Sequence, residues 1–260
     1  NGFFTCPSLD IYPPIAWHNE RYLEKRKSKI YENSKFYIVT PSKWLADKVK
    51  QSILKDKPLS VIYNGTDTSV FKPQDKQKSR QELGLPAEKC IVLVVAKRNQ
   101  SNPWKGGNYA QDIMSTYRNN TDIHFVDLGG NENKTEGNVQ TVNYVSDPKR
   151  LAKYYSAADI LLYPSVADNC PLVVLEAMAC GLPVVSFNTG GIPELVEHQT
   201  NGYIAKYKDI NDLKDGIEYL LGLSREETKK MGQYSADKTQ SGFTIQKMAD
   251  QYIELYNNLL

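Results

Sequence analysis

The residues able to do chemistry gather in four short segments, each following an apolar run of the kind that forms a buried strand. They are 97–105 (KRNQSNPWK), Gly129 and Gly130, 164–171 (PSVADNCP) and 188–191 (NTGG). Between them they offer Lys97, Arg98 and Lys105 as cations, Asp168 as a carboxylate, two glycine pairs and two helix starts. A helix start points free N–H groups at an anion, an effect of about 0.3–1 kcal/mol per charge when exposed and up to ~2 when partly buried. Lys105 adds a point charge suited to a diphosphate. Just beyond 164–171, Glu176 interrupts an apolar stretch (PLVVLEAMACG), where a carboxylate is costly to bury unless hydrogen-bonded or paired. Together these groups suit a phosphorylated ligand that carries hydroxyls. Plainer readings stand beside this one: Gly190 and Gly191 as an ordinary turn, Lys97 and Arg98 as solvated loop charges. His18, His124 and His198 are scattered without ligand spacing and read as structural.

Strand and helix patterns alternate along the part of the chain that carries these groups. The runs 90–96 (CIVLVVA), 123–128 (IHFVDL), 159–163 (DILLY), 183–187 (PVVSF) and 202–205 (GYIA) read as strands, the first buried on both faces. Between them, Tyr109, Ala110, Ile113, Met114 and Tyr117 recur at helical spacing, and Asp147 followed by Pro148 predicts an N-cap and a helix with Leu151, Ala152, Tyr154 and Tyr155. Helices are predicted over 172–179, 192–197 and 210–221, and a short one from Ser224, where Glu227 completes a capping box. Strand and helix alternating at this spacing predict an α/β fold, a Rossmann-like doubly wound parallel sheet. In such a sheet the ligand sits outside the carboxyl ends of the strands, where all four segments fall.

The flanks differ. Residues 1–68 hold a basic helical stretch (Arg21, Lys25, Arg26, Lys27, Lys29), a strand at 36–40, a helix capped by Ser42 and a strand at 59–63. Two strands close no core alone, so these residues read as the tail of a partial second α/β domain whose beginning lies outside this sequence. At the other end Ile245, Met248, Ala249, Tyr252, Ile253, Tyr256 and Leu259 outline an amphipathic helix, 243–260, expected to pack back on that front piece. Lys+Arg 32 against Asp+Glu 30 is too balanced for a dedicated nucleic-acid binder. No run reaches the ~20 apolar residues of a membrane span. Cys6, Cys90, Cys170 and Cys180 form no C-x-x-C pair. A helix between Cys170 and Cys180 would hold them roughly 15 Å apart, beyond disulfide reach, so reduced thiols in the cytoplasm are expected.

The stretch 168–185 (DNCPLVVLEAMACGLPVV) resembles the E-x7-E segment of the retaining GT-B glycosyltransferases of family 4. The loop 188–194 (NTGGIPE) is similar to the family's next loop, and 103–106 (PWKG) to its lysine–glycine element. Residues 40–45 (TPSKWL), 63–67 (YNGTD) and 71–73 (FKP) resemble the end of its first domain and the linker. The likeness runs from about Val39 to Leu260. Two places depart from the pattern: Asp168 is one methylene shorter than the usual glutamate, and Asn169, Cys170 and Pro171 replace a Gly-Phe-Gly type sequence.

The resemblance implies a donor domain at 69–242 holding a nucleotide-diphosphate sugar. By it Lys105, Asp168 and Glu176 are catalytic candidates, with Arg98, Lys105, Gly129, Asn169, Cys170, Pro171, Leu172, Glu176, Gly190 and Gly191 as the donor-binding set. Glu176 would accept from ribose hydroxyls, Asp168 would meet the transferred sugar, and Lys105 with the helix start would stabilise the leaving diphosphate, an electrostatic task. It implies transfer to a glycan or lipid-linked acceptor in cell-surface polysaccharide or glycoconjugate synthesis. No cofactor, metal or nucleic acid is expected, and the setting is cytoplasmic, with peripheral contact at the inner membrane face through the front domain. The rival readings are a nucleotide-sugar epimerase of related fold and a non-catalytic nucleotide-sugar-binding protein.

Overall fold

The computed structural model describes residues 19–95, 103–130 and 132–259. Cys6, Lys97, Arg98 and the end of the first predicted strand at Ala96 lie outside the described residues. The described residues open with α1 (Glu20–Asn33), β1 (Ile38–Thr40), α2 (Lys43–Lys50) and β2 (Leu59–Val61). Strands β1 and β2 pair in parallel as a sheet of their own. Ser42 caps α2 by accepting from the Leu45 N–H, as its sequence position predicts.

The main body continues through α3 (Lys76–Leu83), β3 (Cys90–Val95), a 3-10 turn at Pro103–Lys105, α4 (Gly107–Thr116), β4 (Ile123–Gly130), β5 (Lys134–Glu136) and β6 (Val139–Asn143). Then come α5 (Pro148–Ala157), β7 (Ile160–Tyr163), α6 (Leu172–Ala179), β8 (Val184–Phe187), α7 (Ile192–Leu195), β9 (Gly202–Ala205), α8 (Ile210–Leu221), α9 (Arg225–Gly242) and α10 (Ile245–Leu259). The sheet has seven strands in the order β5-β6-β4-β3-β7-β8-β9. Six run parallel; only β5 is antiparallel, to β6. The carboxyl ends of β3, β4, β7 and β8 therefore share one edge.

Alternation along the strands sorts the core onto two faces. Ile91, Leu93, Val126, Leu128, Leu161 and Val184 join Ala152, Tyr155, Val174 and Met178 of α5 and α6 on one side. Val92, Val94, Phe125, Ile160, Leu162, Val185 and Phe187 meet Ile113 of α4 and Leu213 and Ile217 of α8 on the other. This is the doubly wound arrangement the strand–helix alternation predicts. Burying each such aliphatic side chain contributes about 1.5–3 kcal/mol before chain entropy is counted.

The edge away from the four segments is held by charge. The nearly inaccessible Arg80 guanidinium pairs with Asp159 at 2.6 Å and donates to the carbonyls of Ala157 and Lys89, while Asp159 also accepts from Ile91 N at 2.7 Å. A buried arginine persists only when its donors are met, and these are.

Several elements differ from the sequence expectation. The helix from Ser224 is not short: behind its capping box it runs 18 residues, because Met231, Gly232, Ser235 and Thr239 pack against the body. Helix α3 and strands β5 and β6 have no counterpart in the sequence reading; β5 is exposed throughout and α3 largely polar, so neither carries an apolar period. Gly129 is not in a loop beyond its strand. It lies within β4 at φ +98, where the register with β6 shifts between Leu128 and Gly130. The start of α10 is joined to the linker by Thr66 N to Phe243 O (2.9 Å) and Ile245 N to Thr66 O (3.1 Å). Beyond that start Ile253, Tyr256 and Leu259 stay exposed.

Candidate functional site

Lys105 is delivered to the sheet edge by the turn Pro103–Lys105 and by Gly106 behind it. Gly106 has φ +66, and a Cβ there would stand 1.8 Å from the Pro164 carbonyl oxygen, so only glycine lets the two loops touch. The loop from β7 is tied to this turn: Val166 N donates to the Trp104 carbonyl at 2.9 Å, and Ser165 Oγ at 3.0 Å.

Across this contact the Lys105 ammonium meets Asp168 Oδ2 at 2.8 Å. The Tyr163 hydroxyl, at the end of β7, donates to the same oxygen at 2.7 Å. Burial, and then the Asp168 charge, push Tyr163 far above the ordinary tyrosine value, so it serves as a fixed donor. Asp168 is the more enclosed partner, with 17% of its side chain accessible against 46% for Lys105. The lysine can swing to a ligand while the carboxylate stays.

Helix α6 follows, with Pro171 as its N-cap residue; no side chain caps it. Val174 and Leu175 N–H both turn to the Pro171 carbonyl at 3.2 Å. Among the described residues nothing accepts from the Leu172 and Val173 N–H groups, which leaves two donors at the mouth of the helix. Just over one turn deeper, Glu176 Oε2 accepts from the Tyr155 hydroxyl of α5 at 2.9 Å. Burial raises the Glu176 carboxyl above its usual range, and the tyrosine bond pulls partly the other way. Tyr163 lies close enough to Tyr155 to add to the upward push on that hydroxyl. Hydrogen bonds thus join Lys105, Asp168 and Tyr163 in one group, and Tyr155 and Glu176 in a second.

The glycine pair braces this loop from the side. Gly190 has φ +57, and a Cβ on it would lie 1.7 Å from the Asp168 carbonyl oxygen. Gly191 N donates to that same carbonyl at 3.1 Å, and a Cβ there would lie 1.8 Å from Asn169 O. The pair is therefore more than an ordinary turn: backbone packs on backbone. From the linker, Asn64 Nδ2 donates to Cys170 O at 2.8 Å.

The structure brings Lys105, Asp168, Asn169, Cys170, Pro171, Leu172, Glu176, Gly190 and Gly191 to one place; Arg98 lies outside the described residues. Tyr155, Tyr163 and Asn64 were not singled out from sequence. The signal for the tyrosines was present, since a tyrosine inside an apolar run needs a partner for its hydroxyl. Cys90, Cys170 and Cys180 are free; burial pushes the Cys170 thiol up to about 11 and Cys180 to about 12, which makes them inert. Among the described residues no group of three or more His, Cys, Asp or Glu side chains could hold a metal ion, and no helix is long and apolar enough to cross a membrane.

Comparison with known proteins identifies the family and the fold. Residues 75–238 match the family model for glycosyl transferases group 1. The chain is 30% identical over 207 residues to a D-inositol 3-phosphate glycosyltransferase of Segniliparus rotundus, an alignment covering 71% of this chain but only 45% of that relative's length. Among solved structures it superposes on a sucrose-phosphate synthase from Thermosynechococcus elongatus with a TM-score of 0.78, at 25% identity, covering 97% of this chain and 66% of that one. The Alr3699/HepE structure of Anabaena in complex with UDP-glucose gives a TM-score of 0.74 at 20% identity, over 93% of this chain and 69% of that one. The fold is that of GT-B glycosyltransferases.

Proposed function

The chain belongs to the glycosyl transferases group 1 family, and from that premise we propose that it serves a retaining transfer of a sugar from a nucleotide-diphosphate donor to a glycan or lipid-linked acceptor. The observation that carries this reading is the run from Lys105 through Asp168 to the open start of α6, with Glu176 just over a turn deeper. Lys105 and the Leu172 and Val173 amides take the diphosphate and stabilise the charge left on it. That is a task a divalent cation performs in other transferases, and it is assigned here to protein groups. Asp168, held by Tyr163, accepts from hydroxyls of the transferred sugar, and Glu176 from those of the ribose. The acceptor attacks on the face the diphosphate leaves.

The reading puts the donor on 69–242 and the acceptor side on 1–68, with 243–260 returning to that side. It sets the work in the cytoplasm, at the inner membrane face, in cell-surface polysaccharide or glycoconjugate synthesis. A fold neighbour was solved with UDP-glucose, so UDP is the first ligand to try, followed by GDP and ADP. Calorimetry of the chain with all three tests the proposal. One of them binds, and Glu176→Ala weakens it by about 1–3 kcal/mol, the range for losing hydrogen bonds to a charged group. Failure of all three to bind, or an unchanged affinity in the variant, overturns the assignment.

A further inference from the structure

Glu194 has no part in the site as described, yet its carboxylate is fully engaged. From α7 it reaches the front piece, where Oε2 accepts from Lys43 N at 2.9 Å and Oε1 from Trp44 N at 2.8 Å. The Tyr63 hydroxyl donates to Oε2 at 2.6 Å. With Ser42 Oγ taking the Leu45 N–H at 3.1 Å, the first three amides of α2 all have acceptors. Two of those acceptors come from a carboxylate roughly 150 residues away in sequence. A negative charge at a helix N-terminus is in its favoured position.

The same short helix begins at the glycine pair that lies against the Asp168 and Asn169 carbonyls. Tyr63, which binds Glu194, is followed by Asn64, which binds the Cys170 carbonyl. A closed circuit results: Tyr63 to Glu194, back through Gly191 to Asp168, along the loop to Cys170, and through Asn64 to Tyr63. The loop 168–170 is held from both sides, and each tether ends on adjacent linker residues. Gly191 also lies so near Ser42 that an added Cβ would stand 2.8 Å from the serine Cβ, so the front piece and the glycine pair are in direct packing contact.

We propose that Glu194 is a positioning residue for the donor seat: by locking the glycine loop onto α2 and Tyr63 it fixes Asp168, Cys170 and the open start of α6 in the geometry that receives a diphosphate. The proposal rests on the reading of this site as a diphosphate seat, but its structural half can be tested without ligand. Two variants are used, Glu194→Gln, which keeps the shape and loses the charge, and Asn64→Ala, which removes the second tether.

Amide hydrogen exchange, read residue by residue by NMR on the free chain, is expected to quicken at least tenfold at Gly191, Val174 and Leu175 in Glu194→Gln, and at Val174 and Leu175 in Asn64→Ala. Exchange at Leu161 and Val185 in the sheet stays as in the parent. Calorimetry then shows UDP binding weakened about tenfold while uridine, which lacks phosphates, changes less than twofold. Unaltered exchange at the start of α6 in both variants overturns the coupling, as does equal weakening of UDP and uridine. If the parent chain binds none of UDP, GDP and ADP, the diphosphate seat falls, and the exchange result alone then decides whether Glu194 orders the loop.

Discussion

Lys105→Ala removes an ammonium from this edge, and its consequences follow from the geometry of one ion pair. The Lys105 ammonium is 2.8 Å from Asp168, with the lysine side chain 46% accessible. A pair so open to water contributes about 0.2–1 kcal/mol to folding. The variant should therefore lose less than about 1 kcal/mol of stability, a drop of roughly 2–4 °C in melting midpoint for a chain of this size. Ligand binding is affected more. A hydrogen bond from lysine to a phosphate oxygen is worth about 1.5–3 kcal/mol. Detaching the lysine from Asp168 costs about 0.2–1 kcal/mol of that. The net loss on truncation is about 0.5–2.8 kcal/mol, or roughly 2- to 100-fold in Kd. Uridine carries no phosphate and should bind the variant as it binds the parent. Parallel calorimetric titrations of UDP and uridine into both proteins measure the difference. Equal weakening of the two ligands, or none for UDP, would refute the role given to Lys105.

The raised carboxyl of Glu176 has a pH signature. Burial makes the folded state hold its proton more tightly than the unfolded chain does, so stability is greatest below the ordinary glutamate value and declines as pH rises through the folded one. Glu176→Gln, which still accepts from Tyr155, should raise the melting midpoint at pH 7 and remove that decline; a lower midpoint at pH 7 contradicts the argument. The parent's affinity for uridine should fall on acidification from a pH above the ordinary carboxylate range, and the glutamine variant should show no such fall. Gly190→Ala places a methyl 1.7 Å from the Asp168 carbonyl oxygen at φ +57, so the two backbones must part by more than an ångström. A destabilisation of roughly 2–4 kcal/mol is expected in urea unfolding, combining left-handed backbone strain with the forced shift. A midpoint equal to the parent's would show that the glycine pair is not a brace.

Much of the architecture was legible because its signals are local. The apolar run 90–96 has the length and β-branched content of a strand buried on both faces, and its described residues, 90–95, form β3. Asp147 with Pro148, and Ser224 with Glu227, are capping patterns that satisfy orphan amides within one turn, and both helices start where those residues place them. Strand β5 and helix α3 were illegible for the complementary reason. Their residues are mostly exposed or polar, and their structure is imposed by neighbours: β5 by pairing with β6, α3 by packing against α5.

The site divides along the same line. Residue type and spacing alone single out Lys105, Asp168, Glu176, Gly190 and Gly191 as candidates, because charge in an apolar setting and glycine at a turn are local properties. The strand–helix alternation places them on a shared edge, since parallel strands send all their carboxyl-end loops the same way. The folded chain alone reveals that Lys105 pairs with Asp168, that Tyr155 and Tyr163 turn their hydroxyls onto the two acids, and that Glu194 reaches from α7 to the amides of α2. Those contacts join residues from 5 to 151 positions apart. A hydrogen bond forms at about 3 Å whatever the separation along the chain, so no sequence period records it.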